Sequence, residues 1–499
     1  MTPGLLALAP LRIEANAVQR GAPRAEVLTT GMGPERARRS AFNLAARCAH
    51  ARAVAVTGFS GALQRDIAPG TVIVADEVRG PFGAVPIVPP TLLVSALRRA
   101  GLNVRVGPIV SAEQMVRGRD RLALAESGAI AVDMESGWLV EAAPSRPRAV
   151  VRVVVDTPER ELPSWWTLSD GLRAYRALSR AASVLDLWAS TIMPRDVLLA
   201  GPRSFCAGVE RAIDIVERAL DRYGAPVYVR KQIVHNRHVV DDLAARGAIF
   251  VDELDEVPEG ATVVFSAHGV SPAVRNAAEQ RELHVIDATC PLVAKVHAET
   301  RRFARQGYSV LLVGHRGHEE TEGTMGEADG IKLITGPADA ETVEVDDPER
   351  VAYITQTTLA VDEVAGIVDR LQQRFPALVG PAADDICYAT QNRQNAVRAI
   401  ARDCDLLLVV GSRNSSNSNR LVEVARRQGC AAELIDDARD IHLEWLTNAR
   451  TVGVTAGASA PESLVDEVVA ALGALGPVSI HERAVTVETT QFSLPAEVR

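Results

Sequence analysis

From residue 197 onward the chain repeats one device: an apolar run, a short polar loop, then a helix-forming stretch. Val197–Ala200 enters GPRSFCAGVE and leaves into a helical pattern over Arg211–Arg222. Val263–Phe265 leads to Ser266-Ala267-His268-Gly269, and Val310–Val313 to the loop from Gly314 to Glu320. Tyr353-Ile354 leads to Thr355-Gln356-Thr357-Thr358, Leu406–Val410 to a Ser- and Asn-rich loop ending at Asn419, and Thr451–Val454 to Thr455-Ala456-Gly457-Ala458-Ser459. Strand–helix alternation of this kind specifies an α/β fold with sheets covered by helices. Ligands in open α/β sheets gather beyond the carboxyl ends of the strands. There this chain concentrates His, Ser, Thr, Asn and Glu. One polar loop is an ordinary loop; five together carry more chemistry than solubility requires.

Three cysteines occupy turns of the same kind. Cys206 follows the first strand. Cys290 follows a strand over His284–Thr289, with Pro291 opening a helix where proline costs nothing. Cys387 follows Asp384-Asp385-Ile386 and is expected to be a third strand-to-helix turn, ahead of a helix from about Gln391 to Arg402. A helix N-terminus favours a thiolate, so the three can converge on one soft metal site. Their spacings of 84 and 97 residues match neither a zinc nor a ferredoxin pattern, so the reading rests on context. A cluster with three thiolates leaves one iron open to a substrate oxygen. Cys404 and Cys430 read as structural. His235, His268 and His318 are candidate donors to an anion, as are Ser415, Asn417 and Ser459 on loops that precede helices. Glu320 is the candidate proton donor, with Thr357 as relay; a carboxyl enclosed beside anions keeps its proton at neutral pH.

Composition narrows the classes. A net charge of −9 and an isoelectric point near 5.7 argue against nucleic-acid or anionic-membrane binding. No apolar run reaches the roughly 18–20 residues of a membrane helix, and Leu5–Ala9 lacks the basic flank of a signal peptide. Six cysteines in 499 residues point to a reducing cytoplasm rather than a disulfide scaffold. Only His50 precedes residue 195, and five of the six cysteines follow it. Metal and proton-transfer chemistry is therefore expected in the C-terminal part.

The C-terminal motifs resemble the 4-hydroxy-3-methylbut-2-enyl diphosphate reductases of the methylerythritol phosphate isoprenoid pathway. They run from Val197 to Glu482: GPRSFCAGVERAI, VHNRHVV, FSAHGVSP, DATCPLVAKVH, GHRGHEETEGTMG, ITQTTLA, DDICYATQNRQ, GSRNSSNSNRLVE and VTAGASAPE. The resemblance implies a trefoil-like, three-lobed α/β domain around a [4Fe-4S] cluster held by Cys206, Cys290 and Cys387. It implies that His235, His268, His318, Ser415, Ser416, Asn417 and Ser459 bind the diphosphate. Glu320, with Thr357 and Thr358 nearby, would deliver the proton that expels the substrate hydroxyl as water. Two electrons would arrive from ferredoxin or flavodoxin. Two positions depart from the family pattern: Ser204 stands where glycine is usual, and Glu319 where proline is usual.

Residues 1–190 read as a separate α/β unit. Apolar runs (Ala53–Thr57, Thr71–Val74, Ala149–Val155) alternate with helical stretches (Pro34–Cys48, Thr91–Arg99, Gly171–Trp188). The first run is expected to end in a glycine loop, Thr57-Gly58-Phe59-Ser60-Gly61. The motifs GMGPERA, VTGFSGAL, PGTVIVAD, GPIVSAE, VDMES and RVVVDT, in that order, resemble the nucleoside phosphorylase and nucleosidase superfamily, nearest its hopanoid-associated branch. The resemblance implies that Met134 and Glu135 hold a ribose and that Asp156 protonates a purine leaving group; Glu14 is the candidate for the family's N-terminal carboxylate. Cleaving an N-glycosidic bond builds oxocarbenium character on the sugar, and a protonated base leaves more easily. No GDPxR-type phosphate loop stands near the N-terminus, so hydrolysis, phosphorolysis and a silent scaffold all stay open. The expected domains are 1–192 and 197–499, joined by a short linker. The rival for the whole chain is an iron–sulfur sensor that binds a diphosphate without turnover.

Overall fold

The computed structural model describes residues 4–81, 83–87, 91–144, 146–162 and 167–499. It divides into two compact units. The first is Met1–Asp196 with Ala438–Arg450 and Glu467–Ser479; the second is Val197–Asp437 with Thr451–Asp466 and Ile480–Arg499.

The first unit is built on a ten-stranded sheet. Its middle strand, Ala53–Ala62, pairs in parallel with Leu5–Ala9 and with Arg148–Asp156, and antiparallel with Ala131–Asp133. Leu5–Ala9 is wholly buried, as an apolar run covered on both faces should be. The middle strand corrects one expectation. No loop follows Thr57: the strand continues through Gly58 to Ala62. A Cβ at Gly58 would stand 2.7 Å from Arg152 Nη1 and 2.7 Å from Glu14 Oε1. The glycine therefore admits a close approach of buried charges rather than turning the chain. The pairing with Arg148–Asp156 shifts register between Val154 and Asp156, and a bulge of this kind re-aims the side chain that follows it.

The second unit holds three separate sheets, one per lobe. The four-stranded sheet runs Ala248–Val251, Val227–Arg230, Thr262–Phe265, His284–Asp287, all parallel. The three-stranded sheet runs Lys332–Ile334, Ser309–Val313, Val351–Thr355, also parallel. The five-stranded sheet runs Ala431–Ile435, Leu406–Val410, Thr451–Ala456, Arg195–Gly201, Val478–Ala484. Helices cover them through amphipathic stripes. On Ala207–Tyr223 the buried residues Val209, Ala212, Ile215, Val216, Ala219 and Leu220 recur at helical spacing, and Gly224 at φ 76° ends the helix,. No helix among the described residues is long and apolar enough to cross a membrane.

The segment before Cys387 differs from expectation. No strand precedes it, and the helix begins at Tyr388 rather than near Gln391. Single bonds replace a ladder there. The Asp385 carboxylate accepts the Thr355 N–H at 2.9 Å and Lys295 Nζ at 3.2 Å, and the Cys387 N–H donates to the Thr357 carbonyl at 3.0 Å.

Candidate functional site

The polar loops of the second unit meet in one cavity of about 770 Å³. Cys206, Cys290 and Cys387 line it, each the N-cap residue of its helix. So do His235, His268, His318, Glu320, Thr357, Thr358, Ser415, Ser416, Asn417 and Ser459. All but Cys387 follow the carboxyl ends of strands from the three sheets, so the α/β topology is what gathers them.

The thiols crowd one another. Burial pushes Cys290 up to about 12 and Cys387 up to about 11, with the neighbouring thiols adding to it. The expected lowering at helix N-termini is outweighed, because removing a thiolate from water costs more than a few backbone N–H groups return. A bound cation reverses that balance, since it deprotonates the thiols it ligates. Glycine also keeps the helix clear of the sulfurs: a Cβ at Gly208 would lie 2.8 Å from Cys290 Sγ, closer than contact allows, and 3.8 Å from Cys206 Sγ. Three thiols around a space that one methyl would fill fit a soft, thiolate-bound metal group.

The three imidazoles form one cluster. His235 stacks on His268 at 4.1 Å between ring centres, and His318 meets them edge-on at 5.4 and 5.8 Å. Burial, then the charges of the other histidines, lowers His235 to about 2 and His318 to about 3. A nearby anion would favour their protonated forms. Around them stand short hydroxyl contacts. Thr358 Oγ1 donates to Ser416 Oγ at 3.1 Å, Ser459 Oγ to the His235 carbonyl at 3.0 Å, and Ser415 Oγ caps its helix by accepting the Ser418 N–H at 3.3 Å.

Glu320 is 2% exposed. Its Oε1 accepts the Thr357 N–H at 2.6 Å, and its Oε2 lies 3.1 Å from Thr357 Oγ1. Burial raises its proton affinity against the opposing pull of these bonds.

Several participants escaped the sequence. Thr390 holds Cys387: its N–H reaches Sγ at 3.3 Å and its hydroxyl lies 3.1 Å away. The i, i+3 spacing in CYAT was the available signal. Phe492 lines the cavity from the C-terminal tail, where no motif marks it. Arg393, fully buried, donates to the Ser204 and Phe205 carbonyls and pairs with Glu488 at 3.0 Å. It thereby ties the Cys206 loop to the helix of Cys387. Ser204 itself sits at φ 60°, in the left-handed region that favours glycine, and its hydroxyl donates to Glu462 at 2.5 Å.

The first unit has its own cavity, about 860 Å³, lined by Glu14, Met134, Glu135 and Asp156 among others. Glu14 accepts the Leu11 and Phe59 N–H groups, each at 2.6 Å, and burial lifts it to about 7. Glu135 accepts the Gly33 N–H at 2.9 Å, and burial raises its proton affinity. Two arginines were missed. Arg152, fully buried, lies beneath the site, 2.8 Å from Asp133 and 3.7 Å from Glu135. A guanidinium inside RVVVDT was the sign of it. Arg121 meets Asp156 at 2.9 Å; burial still raises Asp156 against this partner.

Comparison with known proteins separates the two units. Residues 21–187 match the family model described as the phosphorylase superfamily, and residues 197–473 match that described as LytB protein. A 4-hydroxy-3-methylbut-2-enyl diphosphate reductase of Nocardia farcinica is 56% identical over 324 residues, 64% of this chain and 96% of the relative. The reductase of the same name from an Azoarcus species is 57% identical over 305 residues, 61% of this chain and 98% of the relative. The solved structure of the Plasmodium falciparum E-1-hydroxy-2-methyl-but-2-enyl-4-diphosphate reductase is 35% identical with a TM-score of 0.59, covering 61% of this chain and 97% of that one. With more than half its length matched by one family model and almost the whole of these relatives spanned, the chain belongs to the LytB protein family.

Proposed function

We propose that residues 197–499 reduce 4-hydroxy-3-methylbut-2-enyl diphosphate, with two electrons and two protons, to isopentenyl or dimethylallyl diphosphate and water. The observation that carries this reading is the meeting of three thiols, three imidazoles and a buried carboxyl in one cavity. Cys206, Cys290 and Cys387 would hold a [4Fe-4S] cluster, which when bound supplies the electrons and an iron free of protein ligands. Ferredoxin or flavodoxin is the proposed donor. The imidazoles, with Ser415, Ser416, Asn417 and Ser459, take the diphosphate; charge-assisted bonds to phosphate oxygens are the strong kind. Thr358 braces Ser416. Because Oε1 of Glu320 takes a backbone N–H, the acid proton belongs on Oε2, beside the Thr357 hydroxyl. From there it reaches the departing hydroxyl, which leaves as water. The proposed setting is the cytoplasm, where a chain with six cysteines in 499 residues keeps its thiols for chemistry,.

The test is electron paramagnetic and Mössbauer spectroscopy on anaerobically purified protein, with and without substrate, beside an assay of its reduction. One distinct iron that changes on binding, together with turnover, is expected. Binding without turnover would leave the sensor reading in its place.

For residues 1–192 we propose a nucleosidase. Asp156 protonates the leaving purine, Met134 and Glu135 hold the ribose, and Glu14, near neutrality and buried beside them, activates water. Glu14 favours hydrolysis over phosphorolysis, since a base poised near pH 7 suits a water nucleophile. Adenine release from an adenosylated substrate by wild type, abolished in Asp156→Asn, is the expected outcome. No release from wild type would leave a scaffold.

A further inference from the structure

Glu319 has no part in the steps above. It is the first residue of the helix Glu319–Met325, after His318 as N-cap. Its Oε2 lies 3.0 Å from Nδ1 of His268, at ion-pair distance, and is buried without a hydrogen-bond partner. The Ser266 hydroxyl approaches the same nitrogen at 3.4 Å. His268 lines the cavity and Glu319 does not, so the carboxylate stands behind the ring and leaves Nε2 to the cavity.

His235, His268 and Glu319 bring ligand-type atoms within 4.8 Å of one another, but they do not make a cation site. The two rings lie only 23° from parallel, 4.1 Å apart, so their in-plane lone pairs do not converge on one ion.

The neutral imidazole donates from one nitrogen, and only the imidazolium donates from both. A ring that serves Glu319 at Nδ1 and a phosphate oxygen at Nε2 must therefore carry a proton on each. We propose that Glu319 is a positioning residue for the diphosphate site. It takes the Nδ1 proton of His268, fixes the ring with Nε2 toward the cavity, and balances the imidazolium, so that one of the three clustered histidines meets the diphosphate with a full charge. The inference rests on the diphosphate-reductase reading. The surroundings agree with it: His235 and His318, packed against the same ring, are held neutral chiefly by burial. The cluster thus places its positive charge on one ring rather than sharing it.

The fold offers a clean variant. His318 has extended dihedrals, φ −86° and ψ 134°, as a residue before proline requires, and the first helical position accepts proline. Glu319→Pro should therefore fold. The test is calorimetric titration of inorganic diphosphate into the full-length protein, wild type against Glu319→Gln, Glu319→Pro and Glu319→Asp, beside steady-state reduction of the substrate. Gln and Pro are expected to weaken diphosphate binding about tenfold, the scale of one charge-assisted hydrogen bond. KM should rise in step while kcat stays within about twofold, and Asp should recover most of the loss. Diphosphate affinity in Gln and Pro equal to or tighter than wild type would overturn the inference and leave the reductase reading standing. A wild type that turns over no substrate would overturn both.

Discussion

Gly208 is the second residue of the helix Ala207–Tyr223, a position where alanine is ordinarily preferred. A Gly→Ala change inside a helix gains about 1 kcal/mol. Here the added methyl would stand 2.8 Å from Cys290 Sγ and 3.8 Å from Cys206 Sγ. Non-bonded atoms prefer about 3.5–4.0 Å, so the Cys290 side chain must leave its position. Turning a side chain about 30° off its rotamer costs about 0.5–1.5 kcal/mol. The two effects nearly cancel in the fold, and the melting temperature of metal-free Gly208→Ala should stay within about 2 °C of wild type. They do not cancel in the metal site. A displaced ligand, and a methyl in the space the metal group needs, should cut metal affinity about ten- to hundredfold, as disturbances next to metal ligands do. The assay is iron and sulfide per chain after anaerobic reconstitution, beside calorimetry of the metal-free protein. Wild-type iron content with an unchanged Mössbauer spectrum in Gly208→Ala would refute the reasoning, because the space beside Cys290 would then not be the seat of the metal group.

Glu320→Gln should lower turnover about 10²- to 10⁴-fold, the range of a lost general acid, while calorimetry with inorganic diphosphate stays at wild-type affinity. Arg393→Ala should destabilise the second unit by about 3 kcal/mol in denaturant titration, since it strands the partly buried Glu488 and two carbonyls,. Glu14 links stability to pH in the first unit. Its folded value of about 7 lies above the ordinary 4.5, so the folded state holds the proton more tightly. Stability from this group is full below pH 4.5 and is lost as pH rises through 7, by about 3 kcal/mol. Denaturant titrations between pH 5 and 8 should show that slope in wild type and its loss in Glu14→Gln.

How much of this was legible before folding follows from range. The strand–loop–helix repeat and the loop residues at the strand ends are local patterns, and local patterns survive in a one-dimensional reading. Cys206, Cys290 and His318 stand on helix N-caps that their neighbours announce. The segment before Cys387 looked like another such turn, yet it is pinned by Asp385 to Thr355 and Lys295, 30 and 90 residues away, and no local pattern encodes that. Gly58 failed for the same reason. It reads as a turn until the buried charges of Glu14 and Arg152 are seen pressing on it.

By itself, then, the order of residues determined two α/β units, the chemistry of each loop and the family likeness, because periodicity and short-range spacing carry these. Tertiary structure alone decided which buried groups meet. It set Arg152 beneath three acids, Arg121 on Asp156, Arg393 between two cysteine-bearing segments, and Glu319 behind His268. Those meetings set the electrostatics of both sites. Burial and the distance to the nearest charge govern proton affinity, and neither quantity exists until the chain has closed on itself.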